Sequence, residues 1–551
     1  MPYEWGRDLE LNGPGARLLG PELVSSGLSR VGLADRSECA KTDQEPWMLG
    51  PIRFAATLQA LYPFWWNEAK IKAKQEERLR ALLAHAVQRS SYYRRRFAGI
   101  DIARCALAEL PTLSKADMME NYDELVTDPR LKKADLSAFV DDPRNLGSLY
   151  LGEYGVSHTS GSQGQPALIV QDQHALSLIF AVQFARATRL KRRFLPHLGR
   201  FLNPARMAVM TVKPGFYPSA AAFAYIPRYL SPMFKVLRLS YSDPMADNIR
   251  RLERFRPEYI TGYASALEAL GREEAEGRMN LRRTGSLKQI TNVAEPLTDE
   301  AGAWLETVFG VHVADEYAMG ECMVLSSGCI AGRGAHVNAD LAILEVVDEH
   351  NRPVPPGVEG SKVLVTNLYN HVQPIIRYEV DDRITMSATP CACGSPMPRI
   401  ARISGRTKDR LWIDDGTGQR EVPYYVFLVP LHHVLDLAEH QIVQTGARRF
   451  VVRLVPLRGK RLDGERIRDL IMEHVRAEGL ESEIEIEIEV VPEIPRGPSG
   501  KIARVKNEYA LSQSAHRATR ESASPRATGA DRLHADCVIV TPGRRARPDG
   551  F

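Results

Sequence analysis

Between Ile71 and Phe97 the apolar residues Leu79, Leu82, Leu83, Ala86 and Val87 recur at three- and four-residue spacing, the period that buries one face of an α-helix. From about residue 150 to 400, apolar runs such as Met207 to Val212 and Lys362 to Val365 alternate with helical patterns such as Asp247 to Phe255 and Asp299 to Val308. Such alternation predicts an α/β architecture, with helices laid over a sheet. The pattern changes after Gly405. Gln441 to Val443 and Phe450 to Val455 read as strands, and Ile467, Leu470, Ile471 and Val475 mark one helix face. Ile484, Ile486, Ile488 and Val490 then alternate with glutamates, the signature of a strand with one face buried and one in water. The last hundred ordered residues therefore predict a separate, small α+β domain. Residues 1 to about 50 and 508 to 551 mix Gly, Pro, Ser and charge without a period, and both ends are expected to be loose.

At 551 residues the chain exceeds one ordinary core, so several structural units are expected. Its 72 basic and 68 acidic residues nearly cancel, which removes any global argument for nucleic acid or an anionic membrane as partner. No window approaches the roughly 20 apolar residues of a membrane helix. The opening Met1-Pro2-Tyr3-Glu4 carries no secretory design, so a cytoplasmic address is expected. Seven scattered cysteines are not a disulfide framework, but the close pair Cys391 and Cys393 suggests a metal.

Two segments carry candidate chemistry. Thr159-Ser160-Gly161-Ser162-Gln163-Gly164-Gln165-Pro166 precedes an apolar run. Small hydroxyl residues and glycines let a backbone wrap phosphate oxygens and donate hydrogen bonds to them. It is not a Walker loop, since no Gly-Lys-Ser/Thr follows, and Ser162 lacks the glycine spacing of a nucleophile elbow. Near the other end, Pro495-Arg496-Gly497-Pro498-Ser499-Gly500-Lys501 presents a cation on a Gly/Ser/Pro loop; by itself this is the pattern of a solvated lysine.

Taken in order, Thr159 to Pro166, Ala294-Glu295-Pro296, Asp315 to Glu321, Arg377-Tyr378 with Asp382, Gly405 to Asp409, and Lys501 resemble the adenylate-forming enzymes. Within that superfamily the chain is most similar to the phenylacetate-CoA ligase and capsule-biosynthesis-like branch, including the lead-in Leu110-Pro111-Thr112-Leu113-Ser114-Lys115. The resemblance covers roughly residues 60 to 507. It implies a 1–59 extension, a large multi-subdomain adenylation domain over 60–405, a small mobile α+β domain over 406–507 carrying the catalytic lysine, and a disordered 508–551 tail.

The implied reaction has two steps: a carboxylate attacks the α-phosphorus of ATP and releases pyrophosphate, and a thiol then displaces AMP. By the resemblance Glu321 is a Mg²⁺ ligand and Lys501 bridges carboxylate and α-phosphate. Asp382 accepts the ribose hydroxyls, with Arg406 nearby. Asp315, Glu316 and Tyr317 hold adenine, Ala294, Glu295 and Pro296 form the nucleotide wall, and Thr159, Ser160, Gly161, Ser162, Gln163 and Gly164 grip phosphate. Lys408 is the implied hinge about which the small domain swings between steps.

Cys329, His336, Cys391 and Cys393 are a tetrahedral zinc set by composition, with buried thiols the alternative on spacing alone. Some members of the branch bind zinc with a similar arrangement, and the implied role is structural; Cys322 is a substitute for Cys329 in the set. The chain departs from many relatives at Gln165, Ala318 and Gly320, and His158 is either a substituting polar contact or a packing histidine. Phe216 to Phe223, Gly262-Tyr263 and Ala294 match the acyl pocket, whose aromatic and small residues suit an aryl or arylacetic acid. Coenzyme A is the expected acceptor, with a carrier-protein phosphopantetheine, an amine, or a noncatalytic nucleotide-binding relative as alternatives. A homodimer stays open.

Overall fold

A computed structural model describes residues 66–159, 166–187, 203–211, 216–218, 234–240, 243–329, 331–406, 411–414, 419–422, 425–432, 434, 436–457, 459–477, 479–480, 484–496 and 502–509. The helix expected from Ile71 onward runs over Glu68–Arg89, with Asn67 accepting the Lys70 N–H at its start. Leu79, Leu82, Leu83 and Ala86 are buried. It does not continue to Phe97. Ser90 adopts an extended conformation and its hydroxyl oxygen accepts the Tyr93 N–H, starting a second helix over Ser91–Arg96. The same hydroxyl donates to the Glu124 carbonyl at 2.7 Å. Serine competes with the helical backbone in this way, and apolar spacing alone does not register it.

The α/β alternation resolves into one five-stranded parallel sheet, in the spatial order Phe234–Ser240, Ala205–Thr211, Tyr259–Gly262, Gln289–Val293, His312–Glu316. Parallel strands need crossovers. Here helices Met245–Phe255, Ala264–Ala275 and Asp299–Phe309 supply three of them. Ala208, Met210, Ile260, Ile290 and Val313 of the sheet share one core with Leu252, Leu267, Leu270, Leu305 and Phe309 of those helices. Gly271 allows two of the helices to approach: a Cβ there would sit 2.7 Å from Trp304 and 2.8 Å from Leu305. All five strands end at one edge, where open α/β sheets bind ligands.

The expected strand at Lys362 spans Lys362–Asn367 but is antiparallel, paired with Ala342–Val347 and Tyr378–Val380. A second antiparallel sheet joins Asp382–Met386, Arg399–Arg406, Ala335–Val337 and Ser326–Gly328. Between residues 150 and 400 the parallel α/β pattern among the described residues is therefore that of 205–316. Tyr154–His158 and Leu168–Asp172 form an antiparallel pair flanking the glycine-rich segment.

The C-terminal strands form a four-stranded sheet in the order Glu485–Val490, Arg449–Pro456, Leu437–Gln444, Val505–Asn507, with helix Gly464–Ala477 against it. Ile484 is buried and Ile486 and Ile488 are half-buried against exposed Glu485 and Glu487, as the alternation required, but Val490 at the end of this edge strand is exposed. Ile442, Phe450, Val452, Ile467 and Ile471 belong to a core of their own, distinct from that of the parallel sheet. All described residues fall within the unit Leu49–Phe551, and no described helix is long and apolar enough to cross a membrane.

Candidate active site

Thr159 closes the neck of the glycine-rich hairpin. Its N–H donates to the Ala167 carbonyl at 2.9 Å and its hydroxyl accepts the Ala167 N–H at 2.9 Å. Ser160, Gly161, Ser162, Gln163 and Gly164 lie outside the described residues, as do Lys408 and Lys501. The His158 ring packs edge-on against Tyr217, centroids 4.9 Å apart, and its Nδ1 is 3.1 Å from the Thr159 carbonyl oxygen. It is a packing histidine at the base of the loop.

Two strands of the parallel sheet deliver further residues to its carboxyl edge. After Gln289–Val293 the chain turns through Ala294 at φ 65, a left-handed conformation that is costly for a residue with a Cβ. Ala294 and Pro296 are exposed beside the crevice. The Glu295 carboxylate accepts the Ser265 N–H at 3.0 Å, so it caps the first turn of helix Ala264–Ala275, where negative charge is favourable. That structural duty was not legible in the motif.

Along His312–Glu316 successive side chains point to opposite faces, which separates Asp315 from Glu316. Asp315 accepts the Asn292 amide at 2.7 Å, and burial pushes its carboxyl up to about 6. Glu316 turns to the interior, bonded by the Gly328 N–H and Gln183, with its Oε1 unpartnered. Burial first, and the Asp315 charge second, push it up to about 8. Tyr317 donates its hydroxyl to Asp382 Oδ2 at 2.8 Å, and Arg406 Nε lies 3.3 Å from the other oxygen. Asp382 and Arg406 are register partners on adjacent strands.

Glu321 is buried, and the Tyr378 hydroxyl donates to its Oε1 at 2.9 Å. Burial raises its pKa, opposed by Tyr378 and by the charge of Lys115. Lys115 in turn is lowered by burial, raised by Glu321 and lowered by Arg406, so its ammonium stands in the field of both site groups. Its position follows from local structure. Ser114 and Asp117 form a capping box at the start of helix Lys115–Glu120, and Leu113 bonds to the backbone of Arg377 and Glu379 on either side of Tyr378. The lead-in Leu110 to Lys115 thus contributes a cation as well as a family likeness; the capping pattern Ser-x-x-Asp was the available signal.

Arg377 is a structural residue. It is 3% exposed at φ 50, makes two 3.2 Å bonds to Glu345, and donates to the carbonyls of Ala108 and Leu110.

A second constellation stands apart from the crevice. Cys329, His336, Cys391 and Cys393 bring their ligand atoms within 4.8 Å of one another. Cys329 and Cys391 sulfurs are 3.4 Å apart, and Cys393 Sγ is 3.2 Å from His336 Nε2. His336 Nδ1 lies 3.0 Å from the Met397 carbonyl, which leaves Nε2 as the ligand nitrogen. Zinc–sulfur bonds of about 2.3 Å in a tetrahedron place sulfurs somewhat under ~4 Å apart, so the donor set fits that ion. Cys322 does not join it. It is buried against Tyr369 in a core cluster.

The family described as AMP-binding enzyme matches residues 119–366. A phenylacetate-coenzyme A ligase of Thermus thermophilus is 27% identical over 359 residues, 62% of this chain and 72% of that protein. Protein CapK of Staphylococcus aureus is 21% identical over 395 residues, 69% of this chain and 77% of that one. A crystal structure of 2-hydroxyisobutyryl-CoA ligase in the postadenylation state superposes with a TM-score of 0.60 at 19% identity, covering 81% of this chain and 91% of that one.

Two expectations concern the buried charges. Arg377→Met leaves Glu345 buried without its partner and is expected to cost about 3–5 kcal/mol, read from denaturant midpoints. The Glu316 carboxyl is held above its unfolded value, so the native state binds the extra proton and stability falls as pH rises from about 4.5 to about 8. Glu316→Gln should remove that fall: its midpoint gains on wild type between pH 5 and pH 8.5, and an unchanged difference would contradict an inward, protonated Glu316.

Proposed function

We propose that the chain is an adenylate-forming enzyme, an AMP-forming acid–thiol ligase whose site is the crevice at the carboxyl edge of the parallel sheet; the family match over residues 119–366 supports this reading. The observation that carries the reading is the convergence there of Tyr317, Asp382 and Arg406 in one hydrogen-bonded set with the buried pair Tyr378–Glu321 and the Lys115 cation.

ATP and a carboxylic acid are the first substrates. A carboxylate oxygen attacks the α-phosphorus, the bond to the pyrophosphate oxygen breaks, and an acyl-adenylate forms. Asp382 accepts the ribose hydroxyls, with Arg406 fixing its second oxygen. Tyr317 covers adenine, and Asp315, Ala294, Glu295 and Pro296 border it. Glu316 supports the strand from behind. Thr159 anchors the loop Ser160 to Gly164 that grips phosphate. Glu321, a hard oxygen donor held by Tyr378, would carry Mg²⁺, which supplies charge neutralisation at the phosphates when bound. Lys115 and Lys501 supply fixed positive charge as the anions meet, the kind of preorganised field that stabilises a transition state. In the second step a thiol adds to the acyl carbon and AMP leaves. Lys408 is the proposed hinge between 60–405 and 406–507.

Coenzyme A is the proposed acceptor, and an aryl or arylacetic acid the proposed substrate, since the named relative is a phenylacetate-coenzyme A ligase and Phe216, Tyr217, Gly262 and Tyr263 stand in the segments that match the acyl pocket, with Phe216, Gly262 and Tyr263 buried. The cytoplasm is the proposed address. Cys329, His336, Cys391 and Cys393 would hold zinc as a structural brace, because four protein ligands leave no open position for substrate.

The test is acid-dependent pyrophosphate release from Mg-ATP over a panel of aryl and aliphatic acids, with and without coenzyme A. One acid should trigger release and coenzyme A should yield its thioester. Lys115→Ala and Lys501→Ala should each slow release by roughly 10²-fold or more. Release without coenzyme A consumption would point to a carrier-protein thiol or an amine, and nucleotide binding without release from any acid would favour a noncatalytic relative. For the zinc brace, elemental analysis should find one zinc per chain, absent in Cys391→Ser, with a lower melting temperature on chelation; a metal-free chain of equal stability would refute it.

A further inference from the structure

The parallel-sheet unit and the C-terminal sheet have separate apolar cores, yet polar bonds between described residues cross from one to the other. Arg504, at the start of the C-terminal strand Val505–Asn507, reaches Glu268 Oε1 with both terminal nitrogens at 3.3 and 3.2 Å. Arg272, one turn along the same helix as Glu268, lies 4.0 Å from the other carboxylate oxygen and donates to the Ala438 carbonyl of the C-terminal sheet at 2.6 Å. The Glu268 side chain is only 7% exposed and that of Arg504 19%. These contacts are buried and polar, the composition of an interface that can separate.

Four features give this junction a direction. Glu268 sits four residues into helix Ala264–Ala275, about 6 Å from its start, and that start is held by Glu295 at the active-site edge. Arg504 is rigidly seated: its carbonyl accepts the Ile442 N–H at 2.8 Å, and the preceding Ala503 carbonyl accepts the Gln441 amide at 2.7 Å. Lys501 is three residues from Arg504, at most about 11 Å of extended backbone. A bond at Arg504 therefore restricts how far the lysine's backbone can stand from the helix that opens onto the crevice. Finally, Glu268 keeps a cation on its own helix. If Arg504 leaves, the carboxylate faces Arg272 and incoming water, so parting strands no buried charge.

We propose that Glu268 is a positioning residue for the first half-reaction: clamped between Arg272 and Arg504, it holds the C-terminal unit in the orientation that serves acyl-adenylate formation, and the thiol step requires its release from Arg504. The inference rests on the ligase reading above. Loss of one charge-assisted hydrogen bond shifts the docked-to-undocked ratio by about tenfold.

The experiment uses the full chain and the variants Glu268→Gln, Arg504→Met and Arg504→Lys. Pyrophosphate release reports the first step, thioester formation from supplied acyl-adenylate and coenzyme A reports the second, and amide exchange of Leu437–Gln444 and Ala264–Ala275 reports docking without any turnover. Glu268→Gln and Arg504→Met should slow release by up to about tenfold in kcat with the KM for ATP little changed, leave thioester formation equal or faster, and speed exchange in both segments. Arg504→Lys should restore most of the release. Equal losses in both half-reactions, or exchange that does not change, would overturn the latch. If no acid elicits release from wild type, the ligase reading fails, and unchanged exchange in Glu268→Gln and Arg504→Met would still refute the docking contact.

Discussion

The buried Arg377 guanidinium is the constraint on which the crevice depends. It joins three stretches distant in sequence: the strand holding Glu345, the lead-in at Ala108 to Leu110, and its own position before Tyr378. Its backbone sits in the left-handed region, an unfavourable state that persists only where surroundings over-determine it. Four consequences share that point: Leu113 is stitched alongside, Lys115 is aimed inward, Tyr378 faces Glu321, and Glu321 is kept dry.

The site is a set of anions arranged by how much water each retains. Asp382 carries two donors and is half-buried. Asp315 is more deeply set, and Glu321 and Glu316 are buried. A carboxyl stripped of water awaits a cation or keeps its proton. Glu321 has the charge of Lys115 to oppose its burial, whereas the charge acting on Glu316 is that of Asp315, and Glu316 holds its proton. Two acids five residues apart thus have different chemistry because a strand turns one of them inward.

Much of this could be read from the residues. Periodicity located the helix beginning near Ile71, the half-exposed strand at Ile484 to Val490 and the change of style after Gly405, because burial leaves a period in the sequence. The ordered motifs located Tyr317, Glu321 and Asp382. What stayed hidden depends on partners far along the chain. Nothing near Ser90 announces Glu124, nothing near Glu295 announces the Ser265 amide, and nothing near Lys115 announces Glu321. Cys322 and Cys329 were interchangeable in composition, and only the fold separates a core thiol from one facing His336 and Cys391. The antiparallel pairing of Lys362–Asn367 was equally out of reach, since an apolar run does not state the direction of its neighbour.

The register pairing of Asp382 with Arg406 has a thermodynamic consequence. Arg406 ends the strand Arg399–Arg406, beyond which the chain passes toward the C-terminal sheet, and Asp382 is its ladder partner. Any molecule that orders Asp382 and any twist of the chain beyond Arg406 act on the same rung. By linkage their coupling is reciprocal: to whatever degree an occupant favours one twist, that twist tightens the hold on the occupant by the same factor. Occupancy and orientation are then two readings of a single equilibrium.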